Sequence, residues 1–201
     1  MKRFFLLTVL AGIVVLLTAL YCFSYYQFWT HIKTDQFKRL AEYEGSNIRG
    51  FKGRQILVNK DFLDEMNTLN LYAAENDLTL IVNQGFRYKD PKGSGNVVEP
   101  VDNSNHKAGY AIDFNIRYNG KKYLAKDLKR HNLSRLPRNI QAFIQQVRNH
   151  HTLRWGGDFH KQDPVHVDQH INTLNRSHWT EQKEMCVNDY RRAGKKWKFW
   201  Q

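Results

Sequence analysis

Residues 104–116, SNHKAGYAIDFNI, set His106 seven positions ahead of Asp113, with Gly109 between them. Glycine lets the backbone bend there, so a loop histidine and a strand carboxylate can converge on one point. Taken alone, the pair reads equally as a solvated loop histidine and an exposed strand acid. A second stretch, WGGDFHKQDPVHVDQH at residues 155–170, changes the balance by setting Asp163 three residues before His166. Two histidines and one carboxylate, with a fourth position left to water, describe a catalytic zinc site, whereas a structural site is closed by four protein ligands. Asp163 need not bind the ion: three residues from a ligand, it can reach that water and take its proton. The two cysteines, Cys22 and Cys186, offer no multi-thiolate site, so any metal falls to His, Asp or Glu. This donor set suits Zn2+ best, without being closed to other divalent ions.

Neighbouring residues have further roles open to them. Asp158 and His160 lie close in sequence to the second stretch and are candidates to support a ligand from behind. His150 and His151 end a helical pattern and suit its last carbonyls better than a metal. Asp168 competes with Asp163 for the role of base, at a less natural offset from His166.

The elements that must position these groups are legible as patterns. YAIDFNIRYNGKKYL alternates, with Ile112, Phe114, Ile116 and Tyr118 facing one way and Ala111, Asp113, Asn115 and Arg117 the other; Asn119-Gly120 then marks a tight hairpin turn. Phe62, Met66, Leu69 and Ala73 recur at helical steps, as do Ile140, Phe143, Ile144 and Val147 behind Pro137. LTLIV at 78–82 reads as a buried strand, TLRW as another, and residues 83–105 as a long Gly- and Pro-bearing loop of the kind that is often functional. Helices and strands mix without regular βαβ alternation, which predicts an α+β domain with a mainly antiparallel sheet and flanking helices.

With these residues placed, a family resemblance follows. SNHKAGYAID resembles the Ser-x-His-x-x-Gly-x-Ala-x-Asp motif of the D-alanyl-D-alanine metallopeptidases, peptidase family M15, at all five fixed positions. DPVH is similar to that family's acid-x-x-His element, GFRY to its Gly-Tyr-Arg segment, and WGGDF to its L-alanyl-D-glutamate endopeptidase branch. The resemblance spans roughly residues 55–172 and implies a hedgehog/D,D-peptidase-like fold. It implies zinc ligands at His106, Asp113 and His166, a catalytic base at Asp163, and at Arg87 an arginine that binds the substrate carbonyl or carboxylate. Ser104 falls on the motif serine, which contacts substrate or supports a ligand. Phe86 and Val167 depart from residues common in the family, which bears on the shape of the substrate pocket.

The N-terminus and the charge balance narrow where such chemistry would act. After Lys2 and Arg3 no charged residue occurs before residue 31, and residues 4–23 are apolar enough to cross a bilayer core, which takes about 20 residues. Tyr25, Tyr26 and Trp29 suit an interfacial belt; the long apolar run, ending Leu17-Thr18-Ala19-Leu20-Tyr21, favours an uncleaved anchor over a signal peptide, and the preceding positive charges favour a cytoplasmic N-terminus. The expected layout is a cytoplasmic 1–3, an anchor at 4–23, a connector at 24–54, a peptidase domain at 55–176 and a basic-aromatic tail at 177–201. The chain carries 31 Lys and Arg against 19 Asp and Glu, a net charge of +12, which suits an anionic partner. With an anchor upstream, that partner is expected to be lipid heads or wall polymer; no nucleic acid is expected. The resulting expectation is a single-pass inner-membrane zinc peptidase facing the periplasm and cutting peptidoglycan stem peptides or cross-links, an L-alanyl-D-glutamate or other L,D-endopeptidase first. Local wall opening for envelope-spanning machinery would suit a tethered enzyme. The alternatives are a D-alanyl-D-alanine carboxypeptidase or dipeptidase, and a non-catalytic zinc-containing wall-binding protein.

Overall fold

The structure, a computed structural model, describes residues 2–26, 31–89 and 102–196. Trp29, residues 90–101 of the long loop, and the tail aromatics Trp197, Phe199 and Trp200 lie outside the described residues. The first helix, α1 (Lys2–Tyr26), carries no charged residue after Arg3, and residues 4–22 are exposed throughout.

The body is α+β. Its main sheet runs in the order β2 (Ile48–Gly50), β4 (Thr79–Gln84), β5 (Ala111–Tyr118), β8 (His166–Gln169) and β7 (Leu153–Trp155), with β6 (Lys121–Tyr123) also pairing β5. Among the described strands, only β2 and β4 pair in parallel; β1 (Leu40–Glu42) and β3 (Leu57–Asn59) form a separate antiparallel pair. The Asn119-Gly120 turn has positive φ at both residues, 45° and 74°, as a two-residue hairpin between right-twisted strands requires.

The alternation on β5 decides which face is which. Ile112, Phe114 and Ile116 are buried, together with Ile48, Leu80 and Val82 on the neighbouring strands. Helices α2 (Leu63–Glu75) and α3 (Arg138–Asn149) contribute Met66, Leu69, Ala73, Ile140, Phe143, Ile144 and Val147 to the same core, with the Phe143 ring edge-on to Phe114 at 6.0 Å. Burying each of the Met, Leu, Ile, Val and Phe side chains contributes about 1.5–3 kcal/mol. Asp113, Asn115 and Arg117 point to the opposite face. The turn from α2 into β4 is closed by Asp77 at φ 55°, with Asp77 N donating to Ala74 O at 3.1 Å and Leu78 N to Ala73 O at 2.8 Å. This left-handed cap lets β4 start immediately after the helix.

Two expected boundaries are corrected. The connector drawn at 24–54 contains β1 and β2, the latter an edge of the main sheet, so the folded body begins well before residue 55. Strands of three residues are too short to show a period. The stretch drawn as a tail from 177 is, as far as Lys196, most of helix α5 (Arg176–Lys196), which follows the one-turn α4 (Ile171–Leu174) and buries Trp179, Gln182, Cys186 and Asp189. Its polar buried residues hide the apolar stripe: Asp189, 4 % exposed, accepts the backbone N–H groups of Lys38, Arg39 and Leu40 at 3.1, 2.7 and 3.0 Å.

Candidate metal centre

His106 sits in a short 3-10 turn, Asn105–Ala108, that precedes β5 and ends at Gly109 with φ 79°. A Cβ on Gly109 would lie 2.6 Å from the Asn59 nitrogen, and that nitrogen donates to Gly109 O at 2.9 Å. Behind the turn, Asn59 Nδ2 donates to Ala108 O at 3.2 Å and to Gln182 Oε1 at 3.1 Å, so β3 and α5 together fix the His106 backbone. His106 itself is 2 % exposed, and its Nδ1 lies 2.8 Å from Gly85 O. A carbonyl only accepts, so Nδ1 carries the proton and Nε2 presents a lone pair. The backbone of β3 runs close by: a Cβ on Gly85 would meet Leu57 O at 2.4 Å.

Pairing of β5 with β8 brings Asp113 opposite His166. His106 Nε2, Asp113 Oδ1 and His166 Nδ1 form a triangle with edges of 3.2, 3.0 and 3.2 Å. The other nitrogen of His166, Nε2, lies 3.5 Å from Asp168 Oδ2. Asp168 is buried and held by a bidentate pair from Arg154 at 3.0 and 2.7 Å and by Asn105 Nδ2 at 2.6 Å. The Asp168 charge favours a proton on Nε2, which leaves the Nδ1 lone pair facing the triangle. Three acceptor atoms this close repel one another unless a cation or a proton lies among them. Metal–donor bonds of about 2.0–2.1 Å at tetrahedral angles give donor–donor edges of about 3.3–3.4 Å, close to those found. Among the described residues this is the one group of three such donors that could hold a metal ion.

The electrostatics agree with that reading. Burial alone would raise the Asp113 carboxyl, but the charges and hydrogen bonds of His106 and His166 outweigh it and hold the group well below the usual carboxylate range. Burial would likewise depress His166, yet hydrogen bonds and charge from Asp113 and Asp168 push it up to about 10. A cation, whether proton or metal, is strongly favoured between these groups.

Asp163 is placed by Gly156. Its N donates to Gly156 O at 2.8 Å, its O accepts from His166 N at 3.0 Å, and a Cβ on Gly156 would meet Asp163 O at 2.3 Å. Its Oδ1 is buried, with no hydrogen-bond partner among the described residues. Burial first, then the Asp113 charge, raise its carboxyl, opposed by His166, His106 and Arg87. Arg87 is half-buried, and its backbone N donates to His106 O at 3.1 Å. Ser104 is buried just ahead of the 3-10 turn.

The structure therefore gathers His106, Asp113, His166, Asp163 and Arg87, with Ser104 alongside. Asp158 and His160 do not join them. Asp158 turns outward into a bidentate pair with Arg148 at 2.8 and 2.6 Å, and His160 is exposed. The group behind His166 is Asp168 with Arg154 and Asn105, which sequence reasoning had not seen in that role. A signal was present: on a strand, residues two apart share a face, which sets Asp168 beside His166. Gln182 and Cys186, on a helix expected to be tail, left no comparable trace.

Residues 99–169 match the family model described as D-alanyl-D-alanine carboxypeptidase, of the M15 peptidases. That span holds the three cluster residues, Asp163 and Asp168, and excludes Arg87. No curated protein matches the chain.

Proposed function

We propose, from the match of residues 99–169 to a family model of the M15 peptidases, that the chain is a membrane-anchored zinc peptidase that hydrolyses peptide bonds of peptidoglycan outside the cytoplasmic membrane. The observation that carries this reading is the convergence of two imidazole lone pairs and one carboxylate within 3.2 Å, beside a buried carboxylate oxygen that has no partner among the described residues.

His106, Asp113 and His166 would hold the zinc, and when bound it supplies Lewis acidity toward a water and the scissile carbonyl. The remaining steps belong to this chain. Asp163, with its carboxyl raised above the ordinary value, accepts the proton of the attacking water at its free oxygen and passes it to the departing amine. Arg87 offers positive charge to the oxygen on which negative charge develops; a donor so placed is typically worth about 3 kcal/mol. Asp168 and the Gly85 carbonyl orient the two imidazoles and keep their lone pairs inward.

The bond favoured is L-alanyl-D-glutamate or another L,D linkage, on the Trp-Gly-Gly-Asp segment that positions Asp163. A second reading, D-alanyl-D-alanine carboxypeptidase, is favoured by the description of the matching family model. Residues 4–22 of α1, of mean hydropathy 2.6 and with none of them buried, would serve as the anchor.

Detergent-solubilised protein incubated with purified sacculi, with and without a chelator, tests the proposal. Release of peptides that the chelator abolishes is expected, and their masses name the bond. Zinc-loaded protein that releases nothing from any wall chemotype would refute it.

A further inference from the structure

The sheet that carries Asp113 and His166 continues past them, and the register maps what shares their face. Asp113 pairs with His166 on one side and Gln84 on the other. Two residues further along β5, Asn115 pairs with Ile81, which pairs with Arg49. Two further still, Arg117 pairs with both Thr79 and Lys122. Directly paired side chains stand on one side of a sheet, as do residues two apart on a strand. Arg49, Ile81, Asn115, Thr79, Arg117 and Lys122 therefore form one surface with the cluster, opposite the face covered by α2 and α3.

Among the described residues nothing neutralises this surface. Arg49, Arg117 and Lys122 are exposed, and none forms an ion pair or side-chain hydrogen bond among the described residues. No acid occupies these outer rows. With about 3.4 Å per residue along a strand and about 4.8 Å between strands, the three Cα atoms lie about 12–15 Å from that of Asp113. An extended peptide with its scissile bond at the cluster covers that distance in about four residues.

We propose that this open face is the docking platform for the acidic part of the substrate. Resting on the reading above, the occupant is a stem peptide with free carboxylates, carried away from the cluster across Asn115 and Ile81 to the cations of Arg49, Arg117 and Lys122. Charge complementarity and continuity with the cluster select this occupant.

The test measures binding apart from turnover. The full chain in detergent, carrying Asp163→Asn, is titrated into fluorescein-labelled L-Ala-γ-D-Glu-L-Lys-D-Ala and into its twin with both carboxylates amidated, with anisotropy as the readout. Arg49→Gln, Arg117→Gln and Lys122→Gln combined are expected to weaken binding of the acid peptide about tenfold, the scale of three exposed pairs. They should leave the amidated twin unchanged and flatten the salt dependence. A control that removes three exposed cations from elsewhere, Lys38→Gln, Arg135→Gln and Arg138→Gln, should change neither. No binding by the parent, equal losses for both peptides, or an equal loss in the control overturns the platform. Carboxylate-dependent binding, with no hydrolysis by the zinc-loaded chain that keeps Asp163, would refute the peptidase reading and leave the platform standing.

Discussion

Asp168 offers the sharpest test of how the centre is built. Its carboxylate receives Arg154 Nε on Oδ1 at 3.0 Å, and Arg154 Nη2 and Asn105 Nδ2 on Oδ2 at 2.7 and 2.6 Å, with His166 Nε2 at 3.5 Å from Oδ2. Asp168→Asn keeps the shape and loses the charge. The new amide must set its oxygen where Oδ2 was, because its NH2 there would face three donors. The NH2 then faces Arg154 Nε, and one of the two Arg154 bonds is lost. A hydrogen bond to a charged group is worth about 1.5–3 kcal/mol, so a loss of about 2–3 kcal/mol of stability is expected in the metal-free protein. The His166 contact survives in geometry but not in charge. Loss of such a supporting partner typically costs about 10–100-fold in metal affinity, and the lower end, about tenfold or 1.4 kcal/mol, is expected here. Asp168→Ala removes the contact as well and should approach 100-fold. Competition against a chromogenic chelator gives the zinc affinities, and urea unfolding in EDTA gives the stabilities. Asp168→Asn and Asp168→Ala both binding zinc within twofold of the parent, while stability falls, would show that Asp168 serves the fold and not the centre.

Four further outcomes are expected. Because the native Asp163 carboxyl is raised above its unfolded value, ionising it disfavours the native state above the unfolded pKa; metal-free Asp163→Asn should be the more stable form at pH 8, and the advantage should shrink as pH falls through the raised value, as paired urea titrations would show. Gly109→Ala places a Cβ 2.6 Å from the Asn59 nitrogen at φ 79° and should cost at least about 2 kcal/mol in urea unfolding while weakening zinc binding through His106. Cys186 is buried, and burial followed by the Asp189 charge push its thiol up to about 12, so in a Cys22→Ser background thiol reagents should reach Cys186 only in denaturant. Asp189→Ala strands three backbone N–H groups at the start of β1 and should cost about 2–4 kcal/mol without altering which fragments are released from sacculi.

The chemistry of the centre was legible in sequence because its donors are compact in number and rigid in spacing. His106 and Asp113 are separated by one bend and one strand start, and Asp163 and His166 by a single turn, so residue types and offsets already carried most of the geometry. The alternation on β5 was equally readable, since a strand with one buried face must repeat every second residue. Asp158 misled because closeness in sequence does not set direction: its backbone follows a 3-10 turn that aims the side chain at Arg148.

What the sequence by itself determined was the donor set, the face of β5 that bears Asp113, the helices covering the other face, and an N-terminal segment able to cross a bilayer. Only the tertiary structure decided that β2 joins the sheet, that α5 holds the His106 turn through Asn59 and Gln182, and that Asp168 stands behind His166. The reason is physical: a periodic pattern records which side of an element meets the core, whereas a buried polar contact pairs residues more than a hundred positions apart, such as Asn59 and Gln182, and leaves no period behind.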